Sequence, residues 1–142
     1  MANVIIIGPV SSVPSQLSRV CAGLNTLDSQ RRFNLSWNPL PCHLQNGADI
    51  TGYIIQYSLT SGGEERNISS SDHHLLCYQE SGGPYRCLVP SSLFSTSQTY
   101  MFQVAAINSF GVGPFSGPVN AMLSSQGKCC ITRIQFVLML LR

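Results

Sequence analysis

The residues best suited to chemistry in this 142-residue sequence are two adjacent histidines, six cysteines and six acids. His73 and His74 follow Asp72, and these residue types could bind a metal ion or transfer a proton. Neighbouring residues of a strand point to opposite faces, and no further ligand is fixed nearby, so we expect a solvated loop. His43 does not complete a zinc site either. The sequence therefore predicts no metal site and no cofactor.

Catalysis by a nucleophile or by paired carboxylates has little support. Serine is abundant, with 20 residues, but none lies in the Gly-x-Ser-x-Gly turn that exposes a nucleophile. The pairs Gly62-Gly63 and Gly82-Gly83 predict tight turns, and neither precedes a helix that could hold a phosphate. We therefore expect a chain that is not an enzyme and has no small-molecule substrate.

The charge content excludes further classes of function. Only 10% of the residues are charged and the net charge is +2, whereas an average globular chain has about 25% charged residues. The chain lacks the basic excess that binds nucleic acid. A hydrophobic content of 44% is also too high for a disordered chain.

Cysteines and glycosylation sequons indicate an oxidising compartment. Six cysteines allow 15 pairings, and an even count in a short chain favours disulfides. The sequons Asn34-Leu35-Ser36 and Asn67-Ile68-Ser69 fit a secreted chain. Asn34 is expected to point away from the core, and Asn67, near an exposed hairpin, is the better acceptor. Both are candidate N-glycosylation sites.

Neither end of the chain carries a complete targeting segment. Val4–Ile7 is a short apolar run without a preceding basic residue, so residues 1–12 are interpreted as a linker or the remnant of a preceding segment. Residues 125–142 form an apolar tail that is shorter than the roughly 20 residues needed to span a bilayer. We expect this tail to be disordered or truncated, with membrane contact only if it continues beyond this chain.

The middle of the chain predicts short strands separated by turns. Phe33–Trp37 and Tyr100–Asn108 alternate apolar and polar residues, as half-buried strands do. Residues 70–83 are irregular. Further strands are expected at 17–22, 50–57, 65–69, 85–89 and 115–123, with Gly, Pro and Asn between them. The sequence thus predicts an all-β, seven-stranded antiparallel β-sandwich of the immunoglobulin-like type.

Specific residues at specific spacing then resemble the fibronectin type III domain. The tryptophan lies on the second strand, whereas immunoglobulin domains carry it on the third. The matching positions are Trp37, Tyr53, Tyr57, Tyr100, Phe102, Val104, Asn108, Gly111 and Gly113. The resemblance as a whole covers residues 13–124. The family's proline before the tyrosine corner is missing, because this chain reads Phe94-Ser95-Thr96-Ser97 before Gln98.

The resemblance implies a core role for the aromatic residues and a hydrogen bond from the Tyr100 hydroxyl to a backbone acceptor. Cysteines are not part of the family pattern. Cys77 and Cys87 flank the turn at Gly82-Gly83-Pro84 and are a candidate disulfide, with Cys42 as the chief alternative partner. A closed loop of this length would stabilise the fold by about 2–3 kcal/mol.

The function implied by the resemblance is a non-catalytic protein-binding or spacer module of a larger extracellular adhesion or receptor-like protein. Its protein partners would be reached through loops or strand edges. The loop Asn108–Gly113 lacks an Arg-Gly-Asp motif, and no Trp-Ser-x-Trp-Ser box is present. The alternatives are an intracellular scaffold module of the sarcomeric type and an accessory domain of a larger enzyme or receptor phosphatase.

Overall fold

The computed structural model describes residues 11–25, 32–95 and 98–122. The predictions for residues 1–10 and 123–142 lie outside the described residues. The described part contains nine strands: β1 (Val20–Asn25), β2 (Arg32–Trp37), β3 (Gly52–Leu59), β4 (Arg66–Ser69), β5 (Leu76–Gln79), β6 (Tyr85–Pro90), β7 (Thr99–Asn108), β8 (Gly111–Val112) and β9 (Val119–Met122). Single 3-10 turns lie at Cys42–Leu44 and Ser91–Leu93.

Two antiparallel sheets form a sandwich. The first sheet has the order β1-β2-β6-β5, and in the second sheet β4-β3-β7 is extended by β8 and β9, which both pair with β7. The order of the first sheet is the A-B-E-D order of an immunoglobulin constant-type sandwich. The predicted fold class, an all-β immunoglobulin-like sandwich, is therefore confirmed.

The strand count differs from the predicted seven in two places. Residues 70–83 were expected to be irregular, yet β5 forms there and pairs with β6. The predicted strand over 115–123 is shorter, because only β9 within it pairs with β7. The two-residue strand β8 forms before it, outside the predicted strand, and the chain leaves the ladder between β8 and β9. Pro114 and Pro118 lie in the interruption, and proline cannot donate to a ladder.

The first strand is also displaced along the sequence. It was predicted at 17–22 and is observed at Val20–Asn25. Leu17 is nevertheless buried with the core, although it precedes β1. The ladder starts only at Val20, because that is the first residue of β1 that lies opposite β2.

The core lies where the alternating strands of the two sheets face each other. Phe33, Leu35 and Trp37 of β2 are buried, in agreement with the predicted period of two. Across the second sheet, Tyr57 of β3 pairs with Phe102 of β7, and the next inward pairs are Ile55–Val104 and Tyr53–Ala106. Burial of each large side chain contributes about 1.5–3 kcal/mol.

Candidate functional site

Two aromatic clusters fill the core and use the residues that the sequence singled out. At one end Trp37 packs on Tyr53 and Tyr85, with ring centroids 4.9 and 5.4 Å away. At the other end Phe94 packs 4.8 Å from both Phe33 and Tyr100, and the same cluster includes Tyr57 and Phe102. These buried, edge-to-face contacts stabilise the sandwich and leave no open aromatic cage.

The Tyr53 hydroxyl shows the effect of this packing on ionisation. Burial raises the pKa of Tyr53 above its ordinary value of 10.0, Tyr85 adds to the rise, and Trp37 partly opposes it. A raised pKa keeps the phenol protonated at neutral pH. Tyr53 therefore acts as a neutral core residue and not as a base.

Tyr100 forms a corner with the backbone that precedes its strand. Its hydroxyl oxygen accepts a hydrogen bond from the Ser95 backbone N–H at 2.8 Å. The sequence predicted a backbone acceptor, so the predicted direction of this hydrogen bond is wrong. The reason is that the chain before β7 presents an amide and not a carbonyl, after Phe94 has entered the core.

Asn108 joins three chain segments at one end of the sandwich. Its side-chain amide donates to the Ser12 carbonyl at 2.8 Å and to the Gln45 carbonyl at 3.0 Å. Its Oδ1 atom accepts from the Phe110 backbone N–H at 2.9 Å. Asn46 supports the same junction, because its side chain donates to the Val13 carbonyl at 2.9 Å.

Gly111 and Gly113 allow the N-terminal segment to pass close to the β7–β8 turn. Gly111 has a φ of +138°, and a Cβ atom there would lie 3.2 Å from Val13. A Cβ atom at Gly113 would lie 2.3 Å from the Pro14 carbonyl oxygen, which a real side chain cannot occupy. The glycines are therefore structural, and Asn46, which the sequence analysis did not single out, belongs to the same junction.

Cys77 and Cys87 lie opposite each other on β5 and β6 and form a disulfide. Their Cα atoms are 4.1 Å apart, the spacing of a non-hydrogen-bonded pair in an antiparallel ladder. Cys87 is fully buried, and Cys42, the alternative partner, is an exposed free thiol. Cys21 is also disulfide-bonded. The Cys77–Cys87 disulfide therefore attaches β5 to the first sheet.

The two sequons differ in exposure. Asn67 is exposed on β4 at the edge of the second sheet. Asn34 lies on β2 between Gly23 and Leu88 of the neighbouring strands, and its Oδ1 atom is buried without a hydrogen bond. Asn34 points away from the core as expected. Its side chain is nevertheless crowded, because β2 is a central strand with a neighbouring strand on each side.

Exposed large apolar side chains lie at three places on the described surface, one of which is Leu93 in the turn after β6. Leu76 and Tyr78 project from the same face of β5, with 52% and 43% of their surface exposed. Phe110 and Val112 are exposed at the β7–β8 turn. We call Leu76–Gln79 the β5 edge, because β5 ends the first sheet and offers unpaired backbone groups. A strand edge with apolar side chains can bind another extended chain.

One cleft among the described residues is poor in reactive groups. The cleft between Leu40, Asp49 and Tyr85 has a volume of about 340 Å³. Its lining contains one carboxylate, that of Asp49, and no pair of a nucleophile and a base. None of the helices in the described ranges is long and apolar enough to cross a membrane.

Asp72, His73 and His74 lie together in the turn between β4 and β5. One ligand atom from each residue lies within 4.8 Å of the others. The argument that neighbouring residues point to opposite faces is wrong here, because the segment is a turn and not a strand. The predicted solvent exposure is observed, with 86% of the His73 side chain exposed.

Comparison with known proteins agrees with this architecture. Contactin-3 of Homo sapiens is 35% identical over 107 residues, which is 75% of this chain and 9% of the contactin. Contactin-3 of Mus musculus is 34% identical over 93 residues, or 66% of this chain and 8% of that protein. The chain thus spans less than a tenth of the length of these relatives.

Solved structures share the fold at lower identity. The FN1–FN3 domains of chicken CNTN1 match with a TM-score of 0.57 and 23% identity, covering 78% of this chain and 34% of that one. The twitchin kinase region from C.elegans matches with a TM-score of 0.56 and 21% identity, covering 82% and 19%. The family model of the fibronectin type III domain matches residues 26–122. The chain belongs to the fibronectin type III domain family.

Proposed function

We propose that this domain is a non-catalytic protein-binding and spacer module of a larger extracellular adhesion or receptor-like protein. The observation that carries the proposal is the 35% identity with contactin-3. The Cys77–Cys87 disulfide supports it, because disulfides persist in oxidising compartments and are rare in the cytosol. The proposed module comprises residues 13–124, with residues 1–12 and 125–142 as flanking segments.

The β5 edge is the surface proposed to bind the partner. Its four residues, Leu76–Gln79, carry no charge, and charged side chains are a common protection of strand edges. A partner strand could pair with its backbone while Leu76 and Tyr78 bind apolar side chains. With only 10% charged residues, the chain offers little electrostatic steering, so shape and backbone pairing would decide recognition.

The alternative function is an intracellular scaffold module of the sarcomeric type. Twitchin and titin kinase regions have the same fold at 21% identity, which is evidence for the fold alone. The disulfide weighs against a cytosolic module. An accessory domain of a larger enzyme or receptor phosphatase is the remaining alternative, and no observation favours it.

The test is cell-surface binding by the secreted chain. The full 142-residue chain would be expressed in mammalian cells behind a secretion leader, purified and measured on living cells by flow cytometry. We expect saturable binding that protease treatment of the cells abolishes. The double variant Leu76→Ser and Tyr78→Ser should lose it, whereas Leu93→Ser, a substitution at an equally exposed leucine outside β5, should not.

Two results would contradict this proposal. Binding that is absent from every cell type tested, with a folded chain, removes the interaction function. Free thiols at Cys77 and Cys87 in the secreted chain would remove the argument for an extracellular module. If the Leu76→Ser and Tyr78→Ser double variant and the Leu93→Ser variant both bind cells like the parent chain, the binding function stands, but the β5 edge is not the surface that binds the partner.

A further inference from the structure

The turn between β4 and β5 gathers three side chains whose donor atoms are those that transition metals prefer. We call Asp72, His73 and His74 the histidine turn. It crosses from the edge of the second sheet to the edge of the first. The imidazole rings of His73 and His74 lie side by side, with centroids 4.0 Å apart. The Asp72 carboxylate lies 3.8 Å from the Nδ1 atom of His73.

The backbone holds this turn in a defined conformation. The Asp72 N–H donates to the Ser69 carbonyl at 2.9 Å, and the Leu75 N–H donates to the Asp72 carbonyl at 3.0 Å. The His74 N–H also donates to Asp72 Oδ1 at 2.9 Å, an Asx-type turn that fixes the carboxylate over the loop. Leu75 is buried in the core and anchors the turn directly after His74. The backbone therefore brings the three ligand groups close together before any ion binds, and rotation of the side chains would complete the geometry.

Packing does not account for the two imidazoles. Both are exposed, and within the described ranges the only ring contact and ion pair of these side chains are those with each other and with Asp72. A buried histidine would be explained by the core, but these rings point into solvent. Their nitrogen atoms are therefore available as ligands.

We propose that the histidine turn is a binding site for a divalent transition ion, with Zn²⁺ and Cu²⁺ as the ions whose chemistry fits. Two imidazole nitrogens and one carboxylate oxygen suit these ions, whereas Ca²⁺ and Mg²⁺ require oxygen ligands. Ligand atoms around a tetrahedral Zn²⁺ lie about 3.4 Å apart. The donor atoms here lie within 4.8 Å, so rotation of exposed side chains is enough to close the site. Water would complete the coordination.

The experiment is a titration of the full, untagged chain with ZnCl₂ and with CuCl₂ by isothermal calorimetry. Free thiols are first alkylated, because Cys42 is a free thiol and thiolates bind both ions. We expect one ion per chain for each metal, with tighter binding of Cu²⁺ than of Zn²⁺. Acidification should weaken binding, since protons compete for the imidazole nitrogens.

Variants test whether the ion binds at the histidine turn or at another site of the chain. His73→Gln and His74→Gln should each weaken binding at least about tenfold, as loss of a ligand should cost no less than loss of an outer-shell partner. His43→Gln is the matched control, because His43 is exposed in a different loop, and it should bind like the parent chain. Without metal, the three single variants should have the melting temperature of the parent chain, because the three histidine side chains are exposed.

Three results would overturn the proposal. One is the absence of binding by the parent chain at micromolar concentration. Another is equal affinity of the parent and the double variant His73→Gln and His74→Gln, which would place the ion elsewhere. The third is displacement of Zn²⁺ by millimolar Ca²⁺, which would indicate an oxygen site. A copper spectrum with two imidazole nitrogens in the parent, and none in the double variant, would support the assignment independently.

Discussion

Asn108 is a residue at which three separate segments meet. Its buried amide binds the N-terminal segment at Ser12, the β2–β3 loop at Gln45 and the β7–β8 turn at Phe110. Loss of a partner leaves buried backbone groups without hydrogen bonds, which costs about 1–3 kcal/mol for each group. This one side chain therefore determines the shape of one end of the sandwich.

We predict that Asn108→Ala lowers the free energy of unfolding by about 2–4 kcal/mol, because two carbonyls and one amide lose their partner and water replaces only some of these contacts. Urea denaturation measures the change. Asn120→Ala is the control, since Asn120 is exposed on β9, and it should shift stability by less than about 0.5 kcal/mol. An equal loss in both variants would contradict the role of Asn108.

Sequence alone indicated part of this residue-scale structure. The spacing of Tyr100, Asn108 and Gly113 predicted their place in the fold, but two of the partners of Asn108 come from segments about 60 to 100 residues away. Asn46 was not predicted, although its φ of 61° is a conformation that asparagine tolerates better than most residues. The solvated loop at Asp72, His73 and His74 was predicted, but the closeness of their donor atoms was not, because a turn, and not a strand, determines where these side chains point.

At the scale of elements, strand β5 depends on a disulfide to its neighbouring strand. It has four residues, three of them are exposed, and β6 is its only partner in the described sheets. Short edge strands of this kind gain little from burial. The disulfide between Cys77 and Cys87 therefore holds β5 in register with β6.

We predict that replacing both Cys77 and Cys87 by Ala lowers stability by about 2–3 kcal/mol, which corresponds to about 10 °C or more in melting temperature. The physical reason is the larger conformational freedom of the unfolded chain, together with loosening of β5. Thermal unfolding and amide exchange of β5 are the measurements. Cys42→Ser should leave both unchanged, because Cys42 is exposed and free. Full amide protection of β5 in the double variant would show that the strand does not need the disulfide.

The elements differ in how far the sequence predicts them. β2, β3 and β7 were predicted because Phe33, Tyr53 and Phe102 each begin or continue a strict alternation that burial enforces. β5 has no such alternation of buried residues, and only its partner strand and disulfide make it a strand. The break before β9 was readable in principle from Pro118, but the apolar residues after Pro114 predicted one strand over 115–123.

At the scale of the whole molecule, the two outer faces of the sandwich differ. Leu76 and Tyr78 face outward from the first sheet, since Cys77 between them bonds to buried Cys87. On the second sheet Ile68 packs against the core, so Asn67 beside it faces outward. A glycan on Asn67 would therefore cover the second sheet and leave the β5 edge accessible.

We predict that the chain secreted from mammalian cells carries an N-glycan on Asn67 and none on Asn34. Asn67 is exposed at a sheet edge, whereas the carboxamide of Asn34 is partly buried between β1 and β6 and has no space for a sugar. Asn67→Gln should remove the mass of one glycan without loss of binding through the β5 edge. Asn34→Gln should leave the mass of the glycan unchanged. Mass spectrometry before and after enzymatic deglycosylation measures both.

The two sequons are matched controls for each other, because both have the Asn-x-Ser pattern and differ chiefly in exposure. A glycan found on Asn34 in folded, secreted chain would mean that the outer face of the first sheet is open, against the burial of the Asn34 oxygen. A secreted chain without any glycan would leave the disulfide as the sole structural support for an oxidising compartment. Loss of cell-surface binding in Asn67→Gln would move the proposed partner surface from the β5 edge to the second sheet.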